Sequence, residues 1–362
     1  MPKIIYFGYF SNVISEGGQA RNNAFWKYFS SSRCLRKFNL KTQSHWVRKI
    51  NMLYFWFYLY FLNKQTVFIH QIGIVSLFYV NSKKFKNICF SMCKYLLTRV
   101  ASRNKLIIEV NDLYYEQSVD LKLCVDEDMA QFQFILYGIE LADYIFASNE
   151  MAKYAKTRYQ IKSFHTVING APPLKVSNIE ELETGKRLHN IKIRCVYAGS
   201  LNQGRQIEEL IQVFSTLQQV ELILIGDMGE WLLTRLLPQN VTYLGSFNES
   251  EAMRIVAGCD LGLIPYSSDV RYYNLCYPTI ASFYLYAGIP FLSTPLKELM
   301  AVFVGLHDVV KFADINQWYN LISGLSKVEL DTAKEKLLKS KLDYSWNKLL
   351  DQGLSWMAAD EN

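Results

Sequence analysis

Short apolar runs recur along this chain, each separated from the next by a stretch that patterns as helix or loop. That alternation restricts the fold more than any other feature of the sequence. In the first half the runs are Ile4–Phe10, Thr66–His70, Leu106–Val110, Tyr144–Ala147 and Val167–Ile168. In the second they are Arg194–Tyr197, Val220–Ile225, Val241–Leu244, Leu261–Ile264 and Pro290–Ser293. Helices are expected through Trp26 and Phe29, over Phe85–Arg103, Asp126–Leu141, Ile207–Leu217, Glu249–Val256 and Ile280–Ala287. Within Ile207–Leu217 the apolar positions 207, 210, 211, 214 and 217 fall on one helical face. Strands alternating with helices in this way form a parallel sheet covered on both sides.

A chain of 362 residues is long enough for two such domains. The best linker is Ala171–Ile191, with Pro172-Pro173 and Ser177. The expected fold class is α/β, two doubly wound Rossmann-like domains facing a central cleft. The expected boundaries are 1–172, 173–335 and a terminal helical piece, 336–362, that packs back on the first domain. Asp331–Met357 reads as one or two long helices. Half of the residues are hydrophobic and 20% are charged, which excludes a disordered or collagen-like chain. The seven cysteines are dispersed, with no CxxC pair, and fit buried thiols of a reducing compartment.

Charge is unevenly spread. Residues 1–105 hold 17 Lys/Arg and a single acidic residue, Glu16, whereas residues 176–362 hold 16 basic and 22 acidic residues. The basic first part suggests an anionic partner. Beside it lies an uninterrupted apolar run of eleven residues, Met52–Leu62. A membrane span needs about 20, so the run is expected to be a buried or interfacial helix followed by a core strand. The basic groups and this run together predict peripheral association with an anionic membrane, on the cytoplasmic face of the plasma membrane. The start, MPKIIYFGYF, reads as a strand rather than a signal peptide. No recognised nucleic-acid motif accompanies the basic residues, so a nucleic-acid partner is not expected.

Several segments carry candidate chemistry. Tyr197–Arg205 (Tyr-Ala-Gly-Ser-Leu-Asn-Gln-Gly-Arg) joins a strand to a helix. Small residues there admit an anion to backbone N–H groups at a positive helix end, and Arg205 would add a bidentate contact to a diphosphate. An ordinary strand–helix turn with a surface arginine is the alternative. Pro278 precedes a helix that Gly288 ends, so Thr279 and Ser282 would present hydroxyls at its start, or serve as plain caps. The loop from Pro265 through Tyr266 to Asn274 is polar and aromatic and follows a strand. Glu109 and Asp112 close a buried strand, and a carboxylate there could take a proton from an acceptor hydroxyl. Asp126-Glu-Asp128 has a metal-like spacing but opens a polar helix, where acids are favoured by the dipole. No metal and no cofactor are expected.

Taken in order, these segments resemble a GT-B glycosyltransferase of the family 4 type, nearest to bacterial glucosyltransferase-3-like and galactofuranosyltransferase-like enzymes. The resemblance rests on Gly17-Gly18, Ile107-Ile-Glu-Val-Asn-Asp-Leu-Tyr, Ala142-Asp-Tyr-Ile-Phe-Ala-Ser, Val167-Ile-Asn-Gly170, Tyr197-Ala-Gly-Ser-Leu, Leu224-Ile-Gly-Asp, Tyr243-Leu-Gly, Asp260-Leu-Gly-Leu-Ile-Pro-Tyr, Tyr284-Leu-Tyr-Ala-Gly-Ile-Pro and Tyr344-Ser-Trp346. It spans nearly the whole chain and is weakest over residues 1–105. It implies a hexosyltransferase, independent of metal, that moves a sugar from a nucleotide-diphosphate sugar, UDP-sugar being the expected donor, to a growing bacterial surface polysaccharide (capsule or O-antigen) or glycolipid. The nucleotide-sugar is a substrate, not a cofactor.

By the same resemblance Gly199, Ser200, Leu201 and Arg205 lie at the diphosphate. Thr279 and Ser282 meet phosphate or ribose. Gly226, Asp227 and Phe247 border the base, and Gly17 and Gly18 lie near the sugar and acceptor; apart from the resemblance, the place of Pro265 and Tyr266 in a polar, aromatic loop after a strand is where a nucleotide-sugar could be gripped. Many family members carry two glutamates eight residues apart before the glycine that is Gly288 here; the second position is Phe283 in this chain, and a position often held by lysine is Ile280. Those two apolar residues motivate a second reading, a non-catalytic glycosyltransferase-like subunit that binds glycan or a partner enzyme.

Overall fold

Two six-stranded sheets, each wholly parallel, account for every described strand. The computed structural model describes residues 4–10, 17–31, 36–42, 44–80, 82, 84–172, 192–202, 205–340 and 342–359. The chain divides into one compact unit of Met1–Ile168 with Leu350–Asn362, and a second of Asn169–Leu349. The last thirteen residues thus belong with the first unit, and the return begins at Leu350 rather than at residue 336.

The first unit contains β1 (Ile4–Gly8), α1 (Gly17–Ser31), β2 (Arg36–Asn39), α2 (His45–Phe61), β3 (Thr66–His70), α3 (Gln71–Phe78), α4 (Lys86–Arg103), β4 (Lys105–Val110), α5 (Tyr114–Asp120), α6 (Glu127–Tyr137), β5 (Ala142–Phe146), α7 (Asn149–Tyr159) and β6 (Ser163–Thr166). Its strand order is β2-β1-β3-β4-β5-β6. Central β3 is buried along its whole length, and β4 from Leu106 onward, which is why both read as unbroken apolar runs. The order reverses between β1 and β3, the switch point at which such sheets leave a crevice beyond their carboxyl ends.

The second unit contains β7 (Ile193–Ala198), α8 (Ile207–Ser215), β8 (Val220–Ile225), β9 (Val241–Gly245), α9 (Glu249–Ala257), β10 (Leu261–Ile264), α10 (Arg271–Leu275), α11 (Thr279–Tyr286), β11 (Phe291–Ser293), α12 (Lys297–Val302), β12 (Val310–Phe312), α13 (Trp318–Ser323) and α14 (Lys327–Lys339). Its order, β12-β11-β10-β7-β8-β9, reverses between β7 and β10. Buried Asp260, just before β10, fastens α14 to this sheet: Oδ1 accepts from Lys334 Nζ at 2.7 Å and from Lys327 Nζ. Burial pushes the Asp260 carboxyl up, but the two ammonium groups outweigh that and hold it below its ordinary value.

The tail forms three helices, α14, α15 (Trp346–Gly353) and α16 (Trp356–Ala359), rather than one or two long ones. Gly353 lets α15 approach β6, since a Cβ there would sit 2.5 Å from Val167 Cγ2. Beyond it the Trp356 ring stacks on His165 at 3.7 Å, and Lys105 Nζ lies over the same indole. The strand expected at Val167–Ile168 lies earlier, at β6; Val167 only continues its pairing through N–H to the Phe146 carbonyl.

Candidate functional site

The switch point of the second unit gathers most of the residues expected to meet a donor. Behind β7 the chain turns at Gly199, and behind β8 at Gly226. These two glycines pack backbone on backbone: a Cβ on Gly226, whose φ is +144°, would collide with the Gly199 carbonyl oxygen. Gly199 N–H donates to Ile225 O at 3.0 Å, and Leu201 N–H donates to Asp227 O at 2.9 Å. Those N–H groups are therefore spent on the end of β8 and are not offered to an anion; the glycines bring two loops together instead. The Leu201 side chain is fully buried. Its carbonyl accepts from Trp231 Nε1 at 2.8 Å, and Ser200 O accepts from Tyr197 OH at 2.8 Å. Gly226 N–H continues the interlock to Gly245 O at 2.9 Å.

Arg205 lies across the switch from β7 to β10. Its Nη1 donates to Tyr266 OH at 2.7 Å, and its guanidinium carbon stands 4.9 Å from the centre of that ring. Tyr266 is held in turn by Tyr273, ring centres 5.0 Å apart, and its carbonyl accepts from Thr294 Oγ1. Arg205 is thus no loose surface arginine. Among the described residues, its Nε and the nearby Asn202 Oδ1 are buried atoms without a hydrogen-bond partner, a state that proteins rarely leave unfilled.

Helix α11 starts beside this loop. A Cβ on Gly199 would lie 3.7 Å from Ile280 Cγ2, next to Thr279, the first helical residue, which is partly exposed. Ser282 departs from expectation. Its hydroxyl is buried, donates to Asn169 O at 2.6 Å and pairs with Tyr277 OH at 2.8 Å, so it locks the helix to the chain at 169 rather than facing a ligand. Pro265 is buried at the end of β10, and Phe247, beyond β9, is 37% exposed.

In the first unit, Glu109 and Asp112 part company. Glu109 is on β4, opposite His70 on β3. Its Oε1 accepts from Arg21 Nε at 2.5 Å and its Oε2 lies 2.7 Å from His70 Nδ1, with all three side chains buried. Tyr6 OH completes the row at His70 Nε2, and Arg21 Nη1 donates to Val167 O at 2.6 Å. Burial pushes the Glu109 carboxyl up, yet the Arg21 charge and the His70 contact overcome this and hold it below the usual range. A carboxylate enclosed and stabilised in this way is a fixed charge, not an open proton acceptor. Asp112 lies beyond the end of β4 and is partly exposed; its Oδ2 accepts from Asn111 Nδ2 at 3.0 Å. Gly18, near the start of α1, allows that asparagine close approach, since a Cβ there would be 2.7 Å from Asn111 Nδ2. Gly17 is the first residue of the same helix. Asp126 caps α6, its side chain accepting from Asp128 N–H at 3.0 Å.

Arg21 and Trp231 were not distinguishable as site-forming residues in the sequence. The available signal for Arg21 is the polar triplet Arg21-Asn22-Asn23, buried just after the Gly17-Gly18 pair.

No family model matches the chain, and no curated protein matches it. Solved structures do. The chain is similar to sucrose-phosphate synthase from Thermosynechococcus elongatus, with 11% identity, TM-score 0.64 and 99% of both chains covered. It is similar to Anabaena HepE in complex with UDP and glucose, with 13% identity, TM-score 0.65 and 99% of this chain and 100% of that one covered. WaaG, a glycosyltransferase involved in lipopolysaccharide biosynthesis, matches with 13% identity and TM-score 0.60 over 97% of this chain and 99% of its own. These likenesses and the two sheets give the chain the GT-B architecture of two Rossmann-like domains.

Proposed function

We propose that the protein is a metal-independent glycosyltransferase of the family 4 type. It would transfer a hexose from a UDP-sugar to a bacterial surface polysaccharide or glycolipid acceptor. The observation that carries this reading is the glycine interlock between the ends of β7 and β8, with Arg205 and the start of α11 beside it. Such an arrangement suits a diphosphate: a fixed guanidinium and a helix start stabilise charge that grows on the departing nucleotide. The complexes of Anabaena HepE with UDP-glucose and with UDP lend support by fold.

In the reaction the bond from the anomeric carbon to the diphosphate oxygen breaks and a bond to the acceptor oxygen forms. Asp112 is the candidate to take the acceptor proton in an inverting course; in a retaining course the leaving phosphate takes it. Calorimetric titration with UDP, with and without EDTA, tests the donor site. Micromolar-range binding that EDTA leaves unchanged is expected, and a strict metal requirement would refute the metal-free reading. The apolar Ile280 and Phe283 in and near the start of α11 favour a second reading, a subunit that binds nucleotide or glycan without turnover. Nucleotide binding without release of UDP from any UDP-hexose, acceptor extracts included, would favour it.

A further inference from the structure

Helix α2 is amphipathic in the wrong sense for a helix that faces water. Trp46, Ile50, Leu53, Phe57 and Phe61 recur at intervals of three and four and form one stripe; they are 73, 65, 62, 68 and 63% exposed. Tyr54 and Tyr60 flank the stripe, and the neighbouring α4 side adds Phe85, Ile88 and Tyr95, all exposed. Five large side chains exposed to this degree form an apolar patch on the order of 500–700 Å², at or above the largest patch on an ordinary monomer. The inner side of α2 is where the helix is fastened: Phe55 and Leu59 are buried, Arg48 donates to the Ser76 and Tyr79 carbonyls, and Trp56 Nε1 donates to Leu77 O at 3.1 Å. The outward stripe is therefore not a core face that happens to be open.

We propose that this stripe docks the protein on an anionic lipid bilayer, with α2 lying in the interface plane. Charge selects the occupant. No acidic residue occurs between Gly17 and Lys105, while Lys49, Lys64, Lys84, Lys94, Arg99 and Arg103 lie on or next to α2 and α4. Lys49 lies over Trp46 and Arg99 over Tyr60, which places cations at the edges of the apolar stripe. A second copy of this chain would bring the same basic set against itself, whereas anionic headgroups would neutralise it. Trp and Tyr at the margin suit the headgroup level. At 17 residues α2 is about 25 Å long, and no helix among the described residues is long and apolar enough to cross a membrane. An amphipathic helix of this kind lies in the surface. The inference stands on this surface alone and does not depend on the proposed activity.

The test is co-sedimentation with phosphatidylcholine vesicles, with and without phosphatidylglycerol, for the full chain and for Leu53→Glu/Phe57→Glu and Lys49→Glu/Lys94→Glu. All four positions are exposed, so the variants are expected to keep the parent's far-UV circular dichroism and thermal midpoint; a variant that loses them is replaced by Ile50→Ser/Phe57→Ser, judged by the same criteria. Docking predicts partition into the anionic vesicles that falls about tenfold or more in the apolar variant, and falls with salt and in the charge-reversal variant. Unchanged partition of the apolar variant, or equal partition into both lipids, overturns the proposal. So does a dimer in light scattering that the apolar variant dissociates while no vesicle is bound, which would assign the stripe to a second copy.

Discussion

Arg21 and Glu109 have almost no contact with water, with buried His70 against the same carboxylate, and the two charges are tolerable only as a pair. Removing one partner of a buried pair leaves the other uncompensated, a loss of about 3–5 kcal/mol. Glu109→Gln is therefore expected to destabilise the first unit by that amount in urea denaturation. The sign of the pH dependence follows from the direction of the shift. The folded carboxyl is held below its unfolded value, so its contribution is complete above roughly pH 4.5 and is lost as pH falls through the lower folded value. The parent should lose stability over that acid range more steeply than Glu109→Gln; parallel pH profiles would show that Glu109 makes no such contribution. Asp112 predicts differently. Asp112→Asn should leave the urea midpoint and UDP affinity nearly unchanged while lowering turnover about 10²–10⁴-fold if it is the base, read as sugar transfer to the acceptor. The sequence placed both carboxylates at one strand end. It did not tell them apart, because what separates them is Arg21, 88 residues away in the chain.

At the scale of elements, the central strands were legible, while of the four edge strands only β9 was. Residues 66–70 and 261–264 are strands with the same limits as their apolar runs, because strands buried on both faces have no polar alternation to obscure them; 220–225 also keeps its limits, although Glu221 and Ile223 are only partly buried. The strands that went unread or were misplaced, β2, β6 and β12, all lie at sheet edges. Arg-Lys-Phe-Asn and Ser-Phe-His-Thr carry the short, polar character that keeps an edge from recruiting another chain. The glycine loops were legible as positions but not as packing: Gly199 and Leu201 direct their N–H groups to the end of β8, in an interlock between the ends of β7 and β8. Gly226→Ala tests that interlock. Its φ of +144° is costly for any residue with a Cβ, about 1–3 kcal/mol, and the Gly199 carbonyl occupies the space the methyl needs. The variant should lose stability and bind UDP markedly more weakly, and an unperturbed titration would exclude the interlock from the donor site. Arg205→Ala, which removes a charge-assisted contact rather than backbone fit, should weaken UDP binding by about 1.5–3 kcal/mol.

For the molecule as a whole, the discontinuous first unit has a thermodynamic consequence. Its last piece, from Leu350 onward, follows the entire second unit in sequence. Leu350 is fully buried and Leu354 nearly so, and Trp356 is stacked on His165. A truncation of Leu350 to Ala removes buried methyl groups at a cost of about 2–5 kcal/mol, and that cost should fall on the first unit. If UDP binds the second unit as proposed, it stabilises only what it binds, in proportion to the logarithm of its concentration over its dissociation constant. Calorimetric unfolding of parent and Leu350→Ala, each with and without saturating UDP, distinguishes the two effects. The substitution should lower a transition that UDP does not raise, and UDP should raise a transition that the substitution does not lower. A single transition moved by both would mean that the units unfold as one, and that residues 350–359 stabilise the whole chain rather than the sheet against which they pack.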